Sequence, residues 1–306
     1  MRRLTHSPTG LLRSLQVSQF SLFGFVEGKD VDPFFYGGLC KAVCTGHGVR
    51  YRIVTARELR WQGDGKEPLL GFYEYLRKNG KLLSSLGKKV TACMFFLDKD
   101  VDDILRRRRR SPHVVYTEHY DVHNHLFLSG DLLQAAAAAA HTDPGELQGL
   151  PMFSATWCSN AASRWEDWVA MCVFSKMSGS GLPGYRLTSQ INRPLNGPVD
   201  NALLEQRLQE LTVALGWSRD RVDTEFERTR RYIHRYYVNG RQDVVFKGKW
   251  YCTILEMDVR GAMAGRPVRS ERMGERMLST LAATMDFSRN WATPFREAVE
   301  RIVARL

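Results

Sequence analysis

The chain has no apolar run of the roughly 18 residues that a membrane-spanning helix needs, so no membrane partner is expected. Its first residues, MRRLTHSPTGLLRSLQ, carry no apolar core of the secretory kind. Among 6 cysteines there is no CxxC pair, and reduced thiols in a cytoplasmic protein are the expectation. Cys40 and Cys44 share one helix face with His47 nearby, but a fourth zinc ligand has no evident source. Small core residues are their expected role. No repeat with a period of roughly 20–50 residues is present, which excludes solenoids and propellers. Acidic residues are the scarcer charge: 33 Asp and Glu stand against 44 Lys and Arg, a net charge of +11. That excess favours a polyanionic partner, nucleic acid before membrane, although charge also serves to keep a protein soluble.

What is present fits a soluble globular protein, with 43% hydrophobic and 25% charged residues in a chain of 306. Such a length suits one large domain or two ordinary ones. Strand-like and helix-like stretches alternate over the first half. Residues 20–26 read as a strand, 33–44 as a helix, VRYRIVTA from Val49 as a strand, and 67–86 as helical. KKVTACMFFLDKD from Lys88 is a third strand, apolar through its second half as in a sheet covered on both faces. VDDILRRRRR starts a short helix, HVVYTEHY from His113 is a fourth strand, and NHLFLSGDLLQAAAAAAH is helical. This alternation predicts an α/β domain over residues 1–150 with a parallel sheet flanked by helices. Beyond Leu150 strand-like runs are few, and residues 151–306 read as a mainly helical domain with a Gly/Pro-rich loop at 178–200.

Acids stand where strands end. The run Phe23-Gly24-Phe25-Val26 breaks into Glu27-Gly28-Lys29-Asp30, the place where open α/β sheets put their working groups. The strand from Lys88 ends in FFLDKDVDD. On an extended chain Asp98 and Asp100 point the same way. Two carboxylates on one face suit Mg²⁺, which keeps several waters. Glu27 ends another parallel strand, so the three acids are expected at one sheet edge, where a cation would relieve their repulsion. The bland reading is that Glu27 and Asp98 merely cap helices. Asp102 and Asp103 are expected to be first-turn acids favoured by the helix dipole.

The strings VEGKDVDPFF, FFLDKDVDD and YTEHYDVHNHLF resemble, in this order, the Toprim nucleases of the OLD-related group, which includes the effector of the PARIS anti-phage system. The resemblance covers residues 20–127. It implies a Toprim-like metal-dependent nuclease using Mg²⁺ or Mn²⁺. In it Glu27 holds metal or shuttles a proton, and Asp98 and Asp100 form the metal pair. Relatives carry another acid, most often four residues after the glutamate. Val31 stands there, flanked by Asp30 and Asp32, and Asp30 is the choice for the second metal position. A D-x-E-N string is matched by Asp121-Val122-His123-Asn124, so an expected Glu is His123, and Asp121 or Glu118 is the substitute. A lysine from a later segment is implied. VFKGKWY offers Lys247 and Lys249, and Lys249 is the choice. The resemblance further implies a latent toxin restrained by an ABC-type ATPase partner, cutting host RNA such as tRNA, and a homodimer when free. The alternative is a non-catalytic protein that binds nucleic acid or a partner on the same fold.

Three further features stay open. His119, His123 and His125 invite a zinc reading, but no cysteine is near. Arg106, Arg107, Arg108, Arg109 and Arg110 follow the acidic motif directly. They suit phosphate contacts or, equally, a solvated or acidic-partner-binding face. RTRRYIHRYY, Arg228–Tyr237, can grip RNA by charge and stacking, or form an amphipathic helix with Tyr232, Ile233 and Tyr236 in the core.

Overall fold

β-Branched and aromatic residues build one sheet, and four of its five strands, all but the third in chain order, appear in the expected places. The computed structural model describes residues 7–59, 65–185, 196–264 and 272–306. In chain order the first elements are α1 (Pro8–Val17), β1 (Leu22–Val26), α2 (Asp32–Cys44), β2 (Tyr51–Thr55), α3 (Ala56–Leu59), α4 (Lys66–Lys78), β3 (Leu83–Leu86), β4 (Lys89–Leu97) and β5 (Val114–Tyr116). There follow α5 (Val122–Ser129), α6 (Leu132–Ala140), α7 (Pro144–Leu147), α8 (Trp157–Ser163), α9 (Glu166–Ser178) and α10 (Asn201–Leu215). The last are α11 (Arg219–Val238), α12 (Gly248–Ala262), α13 (Met273–Thr284) and α14 (Thr293–Val303).

The fold is α/β. Strands β2, β1 and β4 are parallel neighbours, and β5 pairs in parallel with the end of β4. The start of that same β4 edge carries β3, antiparallel, through a hairpin that turns at Gly87 with φ 61°. Residues 83–86 were expected to continue a helix; instead α4 stops at Lys78, where Asn79 and Gly80, the latter with φ 62°, close its last turn. A second correction concerns VDDILRRRRR, which forms no helix. Its turn is closed by Arg107 N–H on the Asp102 carbonyl and Arg106 N–H on Asp103, with Arg106 left-handed at φ 56°. This is the hydrogen-bond pair that ends helices, and the three further arginines beyond it present no apolar face to continue one.

The chain divides into two compact units, one of residues 1–98, 108–117 and 282–306, the other of 99–107 and 118–281. In the first, the sheet is covered on both faces. Phe23, Phe25, Phe95 and Leu97 point to one face, where Leu12 and Leu15 of α1 and Phe72 and Leu76 of α4 complete a core. Phe96 points the other way and stacks on Tyr36 of α2 at 4.4 Å. Helix α14 packs on α2, with Phe295 edge-on to Phe35. The second unit is helical. Its α9 is buried from Trp168 to Ser175, and Trp250 of α12 stacks on Tyr185 at 5.4 Å. Residues 186–195 of the expected Gly/Pro-rich loop lie outside the described residues.

Candidate active site

The strand pairing delivers two acids together. Val26 and Phe96 are register partners, so Glu27 and Asp98 leave β1 and β4 at the same edge. Glu27 Oε1 accepts the Asp98 backbone N–H at 2.9 Å. Lys66, the first residue of α4, lies with its Nζ 3.9 Å from the same oxygen and donates to the Asp98 carbonyl. The Glu27 and Lys66 side chains are 15% and 14% exposed, so solvent screens this pair little. Glu27 therefore sits beside a cation as well as at a strand end.

The turn after Glu27 is held by another acid. Asp32, buried at the start of α2, accepts the Gly28 N–H at 2.6 Å. A Cβ on Gly28 would lie 2.6 Å from Asp32 Oδ1, so only glycine leaves room for this contact. Asp30, the expected second metal position, is exposed, and its carboxylate is 3.9 Å from Lys29 Nζ. Val31 is buried. Of the two acids flanking it, Asp32 is the one directed at the Glu27–Gly28 turn.

The chain passes into the second unit after Asp98. The extended strand ends at Leu97, so alternation along a strand no longer governs Asp100. Asp100 is left-handed, φ 50°, and its N–H donates to the Tyr120 carbonyl at 2.7 Å. A non-glycine residue held there stores about 1 kcal/mol or more and is common at functional sites. Between the two acids Lys99 is buried, donating to the Glu118 carbonyl, with Asp103 at 4.0 Å.

Around Asp100, Tyr120 has its phenol pushed well up by burial first and by Asp100 next. Lys247 is half-buried, and desolvation lowers its pKa against the opposing pull of Asp121 and Asp100. Its Nζ donates to the Tyr185 carbonyl at 3.1 Å. Lys249, the expected lysine, is exposed. Asp121 is the N-cap of α5 in a capping box with Asn124. Asn124 in turn donates to the Phe246 carbonyl at 3.1 Å and to Asp243, whose buried carboxylate also takes the Tyr251 hydroxyl at 2.8 Å. Gly248 lies so close that a Cβ there would meet Asn124 N at 2.3 Å. The Asp121-x-x-Asn124 string thus welds α5 to the start of α12.

His123 occupies the place of an expected Glu; it is buried, with neither ring nitrogen hydrogen-bonded and Asp121 at 3.6 Å. His119 and His125 lie ring to ring at 4.7 Å. Burial lowers both imidazoles, His125 far below the ordinary value. Cys40 and Cys44 are buried thiols, and burial pushes Cys44 up to about 11. The five arginines 106–110 are all exposed. Within the first unit Arg108 sits 4.6 Å over the Tyr116 ring and Arg109 lies 3.6 Å from Glu74, so partners reach beyond the neighbouring Asp102 and Asp103.

Among the described residues no three His, Cys, Asp or Glu side chains gather into a metal cage. Carboxylate oxygens without sulfur nonetheless match a hard cation held through one or two carboxylates and its own waters. Sequence reasoning missed Lys66 and Lys99, and it passed over Asp32 in favour of Asp30. Lys99 carried a signal, a cation between two aspartates, and Asp32 another, an acid ahead of a proline at a helix start. Lys66 carried none. Compared with known protein families and with curated proteins, the chain matches none.

Proposed function

We propose that the chain is a metal-dependent phosphodiesterase of the Toprim type that cuts RNA. The observation that supports this most is the Glu27–Asp98 pair at the carboxyl edge of two parallel strands, joined by the 2.9 Å bond to the Asp98 N–H. Glu27 and Asp98 would hold Mg²⁺ or Mn²⁺, which would polarise a phosphate oxygen and acidify a bound water. Glu27 would take or return a proton at its carboxylate, with the Lys66 ammonium 3.9 Å away. Lys247, desolvated beside Asp121 and Asp100, is a better proton donor than an exposed lysine and replaces Lys249 in the reading. Asp30, the expected second metal position, is exposed beside Lys29, and Asp32 is the acid that shapes the turn.

On the three sequence strings, the same reading makes the chain an effector similar to AriB of the PARIS anti-phage system. It would be a latent toxin held by an ABC-type ATPase, released to cut host RNA of the tRNA class, acting in the cytoplasm and homodimeric when free. No helix among the described residues is long and apolar enough to cross a membrane. A second reading is that the acids are structural, favoured by Lys66 already standing beside Glu27. Incubating the purified chain with tRNA or single-stranded DNA, in Mg²⁺, Mn²⁺ or EDTA, separates the two. The nuclease reading requires cleavage that EDTA stops and fresh metal restores. Intact RNA under every condition, from a folded protein, leaves the structural reading.

A further inference from the structure

Helix α11 packs along α9 and buries Val222, Phe226, Thr229 and Ile233. An ion pair from Arg230 to Asp167 and a 2.8 Å hydrogen bond between His234 Nδ1 and Glu166 brace it there. Its other side is unlike a solvated helix face. Arg228, Tyr232 and Arg235 recur at the helical spacing that makes one stripe, with Arg231 beside them. Tyr232 is 38% exposed, outside the core expected for it. Two open clefts share Tyr232 and Arg235. One, of about 420 Å³, adds Tyr236 and Arg241; the other, of about 370 Å³, adds Arg228 and Arg231.

The tyrosines are fixed in place. Tyr232 and Tyr236 meet edge to face at 5.5 Å, their hydroxyls are bonded at 3.0 Å, and Arg241 lies 5.8 Å over the Tyr236 ring. Among the described residues no carboxylate pairs with Arg231, Arg235 or Arg241, while Arg228 has Glu225 at 3.9 Å. Cations spaced about one helical turn, roughly 5 Å, repel one another unless an anion lies along them. An acidic peptide would supply the charge and leave the exposed ring unused. An unpaired nucleobase would use both, since every base offers a flat face to stack and a phosphate to pair.

We propose that this face of α11 is a binding site for single-stranded nucleic acid. A base stacks on Tyr232, and the flanking phosphates are held by Arg228, Arg231 and Arg235. The site stands apart from the proposed hydrolysis, because binding needs neither metal nor the Glu27–Asp98 pair. It is therefore tested in EDTA, where loss of cleavage cannot be mistaken for loss of binding.

The probes are a fluorescein-labelled 12-nucleotide oligouridylate, heparin as a polyanion without bases, and polyglutamate. The full chain is expected to bind the oligonucleotide. Tyr232→Leu is expected to weaken it about tenfold while changing heparin affinity less than about twofold. Arg231→Gln with Arg235→Gln is expected to weaken both and to reduce the salt slope for the oligonucleotide by about 1.4, roughly 0.7 for each phosphate no longer neutralised. Arg231→Lys with Arg235→Lys keeps the charge and is expected to keep the slope. Circular dichroism confirms that each variant is folded. Failure of the wild-type chain to bind the oligonucleotide overturns the proposal. So does a Tyr232→Leu effect equal on oligonucleotide and heparin, an unchanged slope in the Gln variant, or polyglutamate binding without oligonucleotide binding.

Discussion

At the scale of single residues, two pairs of neighbours with the same chemistry are told apart by burial. Asp30 and Asp32 flank Val31, but Asp32 is buried on the Gly28 N–H while Asp30 meets solvent. Asp32→Asn is expected to lower unfolding free energy by about 1–3 kcal/mol, since the buried charged acceptor of the Gly28 N–H is lost, and Asp30→Asn to stay within about 0.5 kcal/mol. Urea denaturation of both variants checks this. Likewise Lys247 is half-buried near Asp121 and Asp100 and Lys249 is exposed. Lys247→Met is expected to lower the cleavage rate about a hundredfold or more, with Lys249→Met within about threefold. Single-turnover kinetics with labelled tRNA measures both. The acids at the strand ends were legible in the sequence, because an apolar run ending in a carboxylate has few other readings. Lys66 was not, because it reaches Glu27 from a helix that nothing in the sequence ties to the end of β1.

At the scale of elements, apolar runs marked β1, β2, β4 and β5, whereas β3, reading Leu-Ser-Ser-Leu, is too short and polar at its centre to separate from the preceding helix. The arginine run defeated helical reading for a different reason. Its turn ends in the left-handed Arg106, a place where glycine is at ease. Arg106→Gly is expected to stabilise by about 0.5 kcal/mol, strain relieved outweighing the entropy glycine loses, as a rise in the urea midpoint at unchanged slope would show. Helix α5 carries a pH dependence. His125 is pushed well below the ordinary imidazole value by burial first, then by His119 and Lys99. The unfolded chain thus binds protons that the folded chain refuses. Stability is full above the unfolded value of about 6.5 and falls as pH drops below it. A loss of about 1 kcal/mol or more is expected between about pH 6.5 and pH 5. His125→Phe, which cannot titrate, should flatten the profile in thermal melts across that range. An unchanged profile would place the proton uptake elsewhere.

At the scale of the whole molecule, the two compact units are each discontinuous in sequence. Helix α14 buries a stripe of Phe295, Val299 and Ile302, yet nothing local marks α2, near the other end of the chain, as its partner. Stripes report burial; partners depend on packing that no local pattern encodes. Charge works at this scale as well, because the net +11 draws polyanions toward the molecule before any single contact forms. The central claim, that Glu27 at the sheet edge drives metal-dependent RNA cleavage, is tested most directly with Glu27→Gln. The amide keeps the shape and can still accept the Asp98 N–H, but removes the negative charge 3.9 Å from Lys66, so a loss of about 1–2 kcal/mol in stability is expected. Cleavage of tRNA in Mg²⁺ by wild type and variant, at matched circular dichroism, is the measurement. The account predicts cleavage by the wild type and at least about a hundredfold less by the folded variant. A folded Glu27→Gln protein that cuts RNA at the wild-type rate would contradict it.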